Sequence, residues 1–285
     1  MSLAIVFSRA RFGLAAPTVT VEVHLSRGLP AFQLVGLPEK SVKEARDRVR
    51  SALLTSGFEF PDRKITVNLA PADLPKEGGR FDLPIAIGVL VASGQLPERA
   101  IEGYEFYGEL ALSGSIRAIV GEIPLVLACQ AAGRQAVLPM ANACQAQHIP
   151  AAQLHGADHL LQVHSFLLGQ QALPAIPRLP DTVLAHPLCM SEVKGQQHAK
   201  RAIEIAAAGQ HNLLLYGPPG TGKSMLAQRL PALLPRLSMA EALESAALYS
   251  IAALHKPLEQ WLQPPFRQPH HTCSAIALVG GGSVP

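Results

Sequence analysis

The stretch Asn212-Leu-Leu-Leu-Tyr-Gly217-Pro-Pro-Gly-Thr-Gly-Lys-Ser224 places a short apolar run directly before the pattern G-x-x-x-x-G-K-[ST]. Leu213 to Tyr216 is short and apolar enough to predict a buried parallel strand, and Met225 to Leu234 continues with Leu226, Leu230 and Leu233 at helical spacing. The pattern therefore predicts a loop between a strand and a helix. Gly217, Gly220 and Gly222 let the backbone take positive φ and approach an anion closely, and Pro218, Pro219 and Thr221 complete the loop. Lys223 supplies a mobile point charge for the β and γ phosphates of a nucleotide, and the Ser224 hydroxyl is placed to ligate Mg²⁺. The expected ligand is ATP with Mg²⁺. The strand-loop-helix context argues against a chance glycine-rich turn.

Working outward, 285 residues are comfortable for two domains, and a hydrophobic share of 48% is enough for real cores. A net charge of +3, spread without bias between the two halves, excludes a broad basic footprint; nucleic acid would have to bind through a local patch or a symmetric channel. Cys129, Cys144, Cys189 and Cys273 are far apart and form no C-x-x-C pair, so neither a zinc site nor a disulfide framework is expected, and a reducing cytoplasm fits. Arg9 and Arg11 interrupt the first apolar run, which reads as a strand rather than a signal peptide. The run Leu83 to Ala92 contains Pro84 and Gly88 and is too short to cross a bilayer.

Val19, Val21, Val23 and Leu25 alternate with polar neighbours as in a half-buried strand, and Ala31 to Val35 repeats the signal, which suggests an antiparallel start. Ser41-Val-Lys-Glu44 reads as a capping box, opening a helix with Val42, Ala45, Val49 and Leu53 on one face and its end at Gly57. Lys40, Lys43, Arg46, Arg48 and Arg50, opposed by Glu44 and Asp47, read as a solvated mixed-charge face in preference to a nucleic-acid surface. Strands are expected at Lys64 to Leu69, Tyr104 to Leu112 and Ile116 to Ile119, with one helix following the segment that ends at Pro84 and running through about Val91, and another from Ile123 to Ala132. This mixture of antiparallel pairs and strand-helix alternation predicts an α+β or mixed-sheet N-terminal domain.

Lys76-Glu-Gly-Gly-Arg80, the apolar helix after it, and Gly108-Glu-Leu-Ala-Leu-Ser-Gly-Ser-Ile-Arg117 resemble the proteolytic domain of Lon-type proteases in order and spacing. The resemblance implies a serine–lysine dyad, yet about Arg80 stands where the serine belongs and about Ile123 where the lysine belongs. A dyad needs both a hydroxyl and a base. The expectation is a Lon-type fold without the protease, with Ser113 and Ser115 as turn residues.

Pro174, Pro177, Pro180 and Pro187 predict a semi-rigid linker between a domain at 1–168 and a second at 191–285. Gly195-Gln196, followed by a helix from about Gln197 to Ala208, resembles the short segment that packs around the adenine in AAA+ ATPases. His211 to Gly220, Pro265-Phe-Arg-Gln-Pro-His-His-Thr272 and Leu278-Val-Gly-Gly-Gly-Ser283 resemble the branch related to the magnesium-chelatase ATPase subunit. His270 and His271 are expected to pack or meet a partner rather than hold metal, and Gly280 to Gly282 to form a hairpin tip facing a pore. A Lon-like front joined to such an ATPase is similar to the YifB/ComM family. That resemblance implies a homo-hexameric ATPase that binds DNA and drives branch migration during uptake of transforming DNA, with Gly195, Gln196 and Gly217 to Ser224 as the nucleotide site. Its fold would be an α+β domain followed by the first part of a doubly wound parallel α/β sheet. After Ser224 the acidic residues are Glu241, Glu244 and Glu259, none behind an apolar strand run, so the Walker B segment, sensor and arginine finger are not expected within these residues. The chain reads as truncated within the ATPase core and as a poor hydrolase by itself. Rival readings are a chelatase accessory and a non-catalytic nucleotide-binding module.

Overall fold

The computed structural model describes residues 2–36, 42, 44–177, 188–254, 260–270, 272–276 and 280. The chain divides into two compact units, Met1–Pro180 with Ala246–Lys256, and Asp181–Ser245 with Pro257–Pro285.

The first unit is built on a mixed seven-stranded sheet in which parallel pairs predominate. Its strands are β1 (Ser2–Arg9), β2 (Thr18–Ser26), β3 (Ala31–Val35), β4 (Lys64–Ala70), β5 (Tyr104–Phe106), β8 (Gln135–Pro139) and β9 (Leu154–Ala157), in the order β3-β4-β2-β1-β5-β8-β9. The antiparallel pair expected of Thr18–Leu25 and Ala31–Val35 is corrected: β2 pairs antiparallel with β1, Ser2 opposite Leu25 and Arg9 opposite Thr18, and β3 is not its neighbour. β3 pairs instead in parallel with β4, because the intervening α1 (Ala45–Thr55) carries the chain across and returns it in the same direction. β2 buries Val19, Val21, Val23 and Leu25 and turns its alternate residues away, as its sequence period requires.

Val42, Ala45, Val49 and Leu53 are all buried, so the predicted helix face is correct. Of the expected capping box, Ser41 and Lys43 lie outside the described residues; Glu44 precedes α1 without a side-chain cap bond. Gly57 ends the helix at φ +80°, and the Phe58 N–H donates to the Leu53 carbonyl at 3.0 Å. α2 (Asp82–Ala92) is buried on almost every side, which explains an apolar run too short for a membrane. A Cβ on Gly88 would come within 2.5 Å of the Val23 side chain, so glycine lets this helix lie against the sheet.

The single strand expected from Tyr104 to Leu112 is broken into β5 and β6 (Glu109–Leu110), and β7 (Ile116–Arg117) is shorter than predicted. Gly108 at φ +156° interrupts it, and β6 leaves the sheet to form a hairpin with β7. α3 (Glu122–Ala131), α4 (Met140–Ala146) and α5 (Leu160–Leu167) follow in the connections. Pro174 and Pro177 of the predicted linker are described, whereas Pro180 and Pro187 fall outside the described residues.

The second unit contains α6 (Gln197–Gly209), α7 (Lys223–Ala227) and most of α8 (Met239–Ile251). Its small core joins Val193, Ile203 and Leu226, with Leu215 and Leu230 packed against it. The predicted strand Leu213 to Tyr216 is a correction: these residues are irregular, with Leu214 83% and Tyr216 90% exposed. A parallel strand is held by hydrogen-bonded neighbours, and no strand is assigned among the described residues of this unit, so propensity alone does not order it. The helix expected from Met225 to Leu234 is likewise shorter, ending at Ala227 and continuing as a separate 3₁₀ turn at Leu230–Ala232.

Candidate functional site

The loop leading into α7 has the backbone its glycines permit. Gly217, Gly220 and Gly222 take φ of +149°, +82° and +86°, conformations costly for any residue with a Cβ. The chain thereby curls around the Lys223 side chain, whose ammonium donates to the Gly217 carbonyl at 2.8 Å and the Pro218 carbonyl at 2.6 Å. The Thr221 hydroxyl donates to the same Pro218 carbonyl at 3.0 Å. Pro219, Gly220, Gly222, Lys223, Ser224 and Met225 line an open pocket of about 380 Å³. Ser224 is exposed in the first turn of α7.

The other predicted segment comes to the same place. Gly195 and Gln196 both have left-handed backbones, at φ +66° and +57°, immediately before α6. That turn directs the Gln196 amide to the Thr221 carbonyl at 3.3 Å. Gly195, Gln196 and Gly217 to Ser224 thus form one cluster.

These residues fit a magnesium nucleotide. The ammonium is held by neutral carbonyls rather than a carboxylate, and a phosphate oxygen is a stronger, charge-assisted acceptor for it. Ser224 offers a hydroxyl for Mg²⁺, and among the described residues no group of three His, Cys, Asp or Glu side chains is arranged to hold a metal by itself.

Arg229 is a residue that sequence reasoning missed. Nearly buried, it donates from Nη2 to the Glu192 carboxylate at 2.6 Å, from Nε to the Cys189 carbonyl at 3.0 Å and from Nη1 to the Met225 carbonyl at 3.0 Å. It ties the end of α7 to the segment before α6. The available signal was its place within the helix expected from Met225 to Leu234, two residues past the end of α7 in the structure. Met225 was missed too: its methyl lies 3.3 Å from where a Cβ on Gly222 would stand.

His270 bonds the Thr272 hydroxyl at 2.8 Å, while His271 lies outside the described residues. Of the glycine run 280–282 only Gly280 is described, at φ +82°.

At the Lon-like positions, Arg80 is 5% exposed and Ile123 2% exposed, and neither can act as nucleophile or base. The Ser113 and Ser115 hydroxyls bond each other at 3.0 Å in an exposed turn, and His159 contacts the Ser113 carbonyl rather than either hydroxyl. The Arg48 guanidinium also departs from the solvated face expected of it: it grips the buried Asp82 carboxylate at 2.6 and 3.0 Å.

The glycine loop at Gly217–Ser224 with the Gln196 turn beside it, following a mixed-sheet unit, is the arrangement expected of a magnesium-chelatase-like protein. Two family models agree: one described as subunit ChlI of Mg-chelatase matches residues 21–142, and one described as magnesium chelatase, subunit ChlI, matches residues 189–285. The chain is 53% identical to the competence protein ComM of Haemophilus influenzae over 100% of its own length and 57% of that protein's. It is also 53% identical to the uncharacterized protein YifB of Escherichia coli, over 100% of the chain and 56% of the relative. A local match to an archaeal Lon protease of Archaeoglobus fulgidus reaches 45% identity over 60 residues, 21% of this chain and 9% of the relative. The chain belongs to the ComM/YifB family of magnesium-chelatase-like proteins. It spans a little over half the length of those ComM and YifB relatives.

Proposed function

We propose that residues 191–285 are the opening part of an AAA+ ATPase core with a doubly wound parallel sheet, that residues 1–168 are a Lon-type domain without the protease, and that 169–190 link them. The protein of which they form part is an ATP-driven motor acting on DNA, in branch migration or helicase action during uptake and recombination of transforming DNA. It works in the cytoplasm as a homo-hexamer. The reading rests above all on one observation, the joining of Gln196 to Thr221 beside Lys223 and Ser224, which unites two sequence segments around one phosphate-sized loop. The competence designation of the Haemophilus relative supports DNA as the substrate.

In this reading Lys223 would exchange the Gly217 and Pro218 carbonyls for phosphate oxygens of the nucleotide, and Ser224 would hold the Mg²⁺ that comes with it. Mg²⁺ neutralises phosphate charge when bound. Gln196 fixes the loop from behind. Calorimetry with Mg-ATP tests this directly: heat of binding is expected for the chain and is lost on Lys223→Ala, and equal heat from both would overturn it. Turnover by residues 1–285 alone is expected to be slow.

A second reading, a chelatase-type ATPase accessory or a non-catalytic nucleotide module, is favoured by the chelatase description of both family models. DNA affinity measured against salt separates the two, because phosphate contacts make binding fall steeply as salt rises.

A further inference from the structure

Arg80 is the buried arginine of the first unit that has no ion pair among the described residues. It is 5% exposed, its Nη2 donates to the Val120 carbonyl at 3.0 Å, and its Nη1 is buried with no hydrogen-bond partner. Among the described residues no carboxylate is within ion-pair distance of it, although Glu77 is near enough to favour its charged form. A guanidinium removed from water without a counter-charge is strongly unfavourable, and the usual compensations are a carboxylate or a bound anion.

The surroundings contain a place for the anion. Arg80 lines a pocket of about 230 Å³ together with Arg11, Glu77, Gly79, Glu109 and Val120. The lining carries Arg11 and Arg80 against Glu77 and Glu109; Arg11 pairs with Glu77 at 2.7 Å, and Glu109 pairs at 3.4 Å with Arg117, which stands outside the lining. Arg80 is therefore the lining charge left without an ion-pair partner among the described residues. Burial, followed by the neighbouring Arg11 cation, lowers the Arg80 pKa to about 10, with Glu77 only partly offsetting them. The Arg11–Glu77 pair is half-exposed, with side chains 32% and 40% accessible, so it can rearrange at little cost. The backbone is open at Gly78, which turns at φ +71° with nothing within 4 Å of where a Cβ would stand, while the space at Gly79 is taken by the Glu109 side chain.

We propose that this pocket is an oxyanion-binding site, in which Arg80 and Arg11 together grip a single phosphate or carboxylate group and Glu77 is released to solvent. The site occupies the position that the Lon-like pattern assigns to a nucleophile, so the degenerate centre has exchanged a reacting hydroxyl for a fixed cation. It is independent of the nucleotide reading, because none of its residues belongs to the loop at Gly217–Ser224.

The test is thermal unfolding at constant ionic strength with chloride replaced by inorganic phosphate or, separately, by acetate. It is done in the Lys223→Ala background so that the phosphate loop does not contribute. A rise in Tm of about 3 °C is expected at roughly ten times the Kd of the anion that fits. Phosphate alone raising Tm identifies a phosphate site, and acetate alone a carboxylate site. Adding Arg80→Met removes the shift while leaving a folded chain of equal or greater stability in chloride, because it replaces an unpaired buried charge by an apolar side chain of similar length. Arg80→Lys keeps the charge and retains a weaker shift. No shift with either anion, or a shift that survives Arg80→Met, would overturn the proposal.

Discussion

The sheet of the first unit and the loop at Gly217–Ser224 treat charge in opposite ways. Glu105 on β5 is fully buried and accepts hydrogen bonds from Arg9 at 2.7 and 2.8 Å, from Arg134 at 3.0 Å and from the Tyr107 hydroxyl. Lys223 is half-exposed and rests on neutral carbonyls. A carboxylate saturated inside a sheet has no capacity left for a ligand, and disturbing it disturbs the fold. A cation resting on replaceable acceptors at the surface can exchange them for phosphate oxygens while the fold stays as it is.

The comparison breaks first, and hardest, at Glu105. Glu105→Ala strands the buried Arg9 guanidinium, and a loss of about 3–5 kcal/mol is expected in urea unfolding. Burial by itself would raise the Glu105 carboxyl, but the Arg9 and Tyr107 hydrogen bonds hold its pKa below the ordinary value of 4.5. Its contribution is therefore present above that value and fades as pH falls through the folded pKa, leaving the wild type and Glu105→Ala closer in stability in strong acid.

Asp82 sharpens the point with the opposite sign. Burial pushes its carboxyl up to about 6 from 3.8, with Arg48 and the Leu110 N–H only partly offsetting it. A raised carboxyl favours the protonated fold, so stability from this group is complete below 3.8 and declines as pH rises through about 6. Arg48→Leu removes the offset and is expected to cost about 3 kcal/mol at pH 7, shrinking toward pH 4 as Asp82 takes up a proton. A pH-independent loss would show that Arg48 acts by packing alone.

Next in size is Gly88→Ala, whose added methyl meets Val23 at 2.5 Å; a loss of about 1–3 kcal/mol, read from the urea midpoint, is expected. Gly88 also shows how much the sequence made legible. The alternation in β2 and the helical face Val42–Ala45–Val49–Leu53 are local, period-driven signals, and both are in the structure. The parallel pairing of β3 with β4 and the break at Gly108 depend on what lies across the sheet, which no local window contains. The same cause explains Leu213 to Tyr216: an apolar run becomes a strand only beside partners. In the site, fixed spacing made Gly217 to Ser224 readable, whereas Arg229 acts through carbonyls at Cys189 and Met225 that no spacing rule names.

The smallest effect tests whether the loop is positioned from behind. The Gln196 side chain is exposed and its bond to the Thr221 carbonyl is long, at 3.3 Å, so Gln196→Ala should leave the unfolding midpoint unchanged. If that bond helps hold Thr221 and the neighbouring Lys223 in place for phosphate, Mg-ATP affinity falls by roughly two- to fivefold, the equivalent of one modest neutral hydrogen bond. Gln196→Glu separates positioning from simple contact: a carboxylate cannot donate to the Thr221 carbonyl and repels the phosphates, so it must weaken binding more than alanine does. Were alanine and glutamate to bind Mg-ATP as tightly as glutamine, the turn at Gly195–Gln196 would be only the start of α6, and the loop would owe its shape to its own glycines and to Arg229.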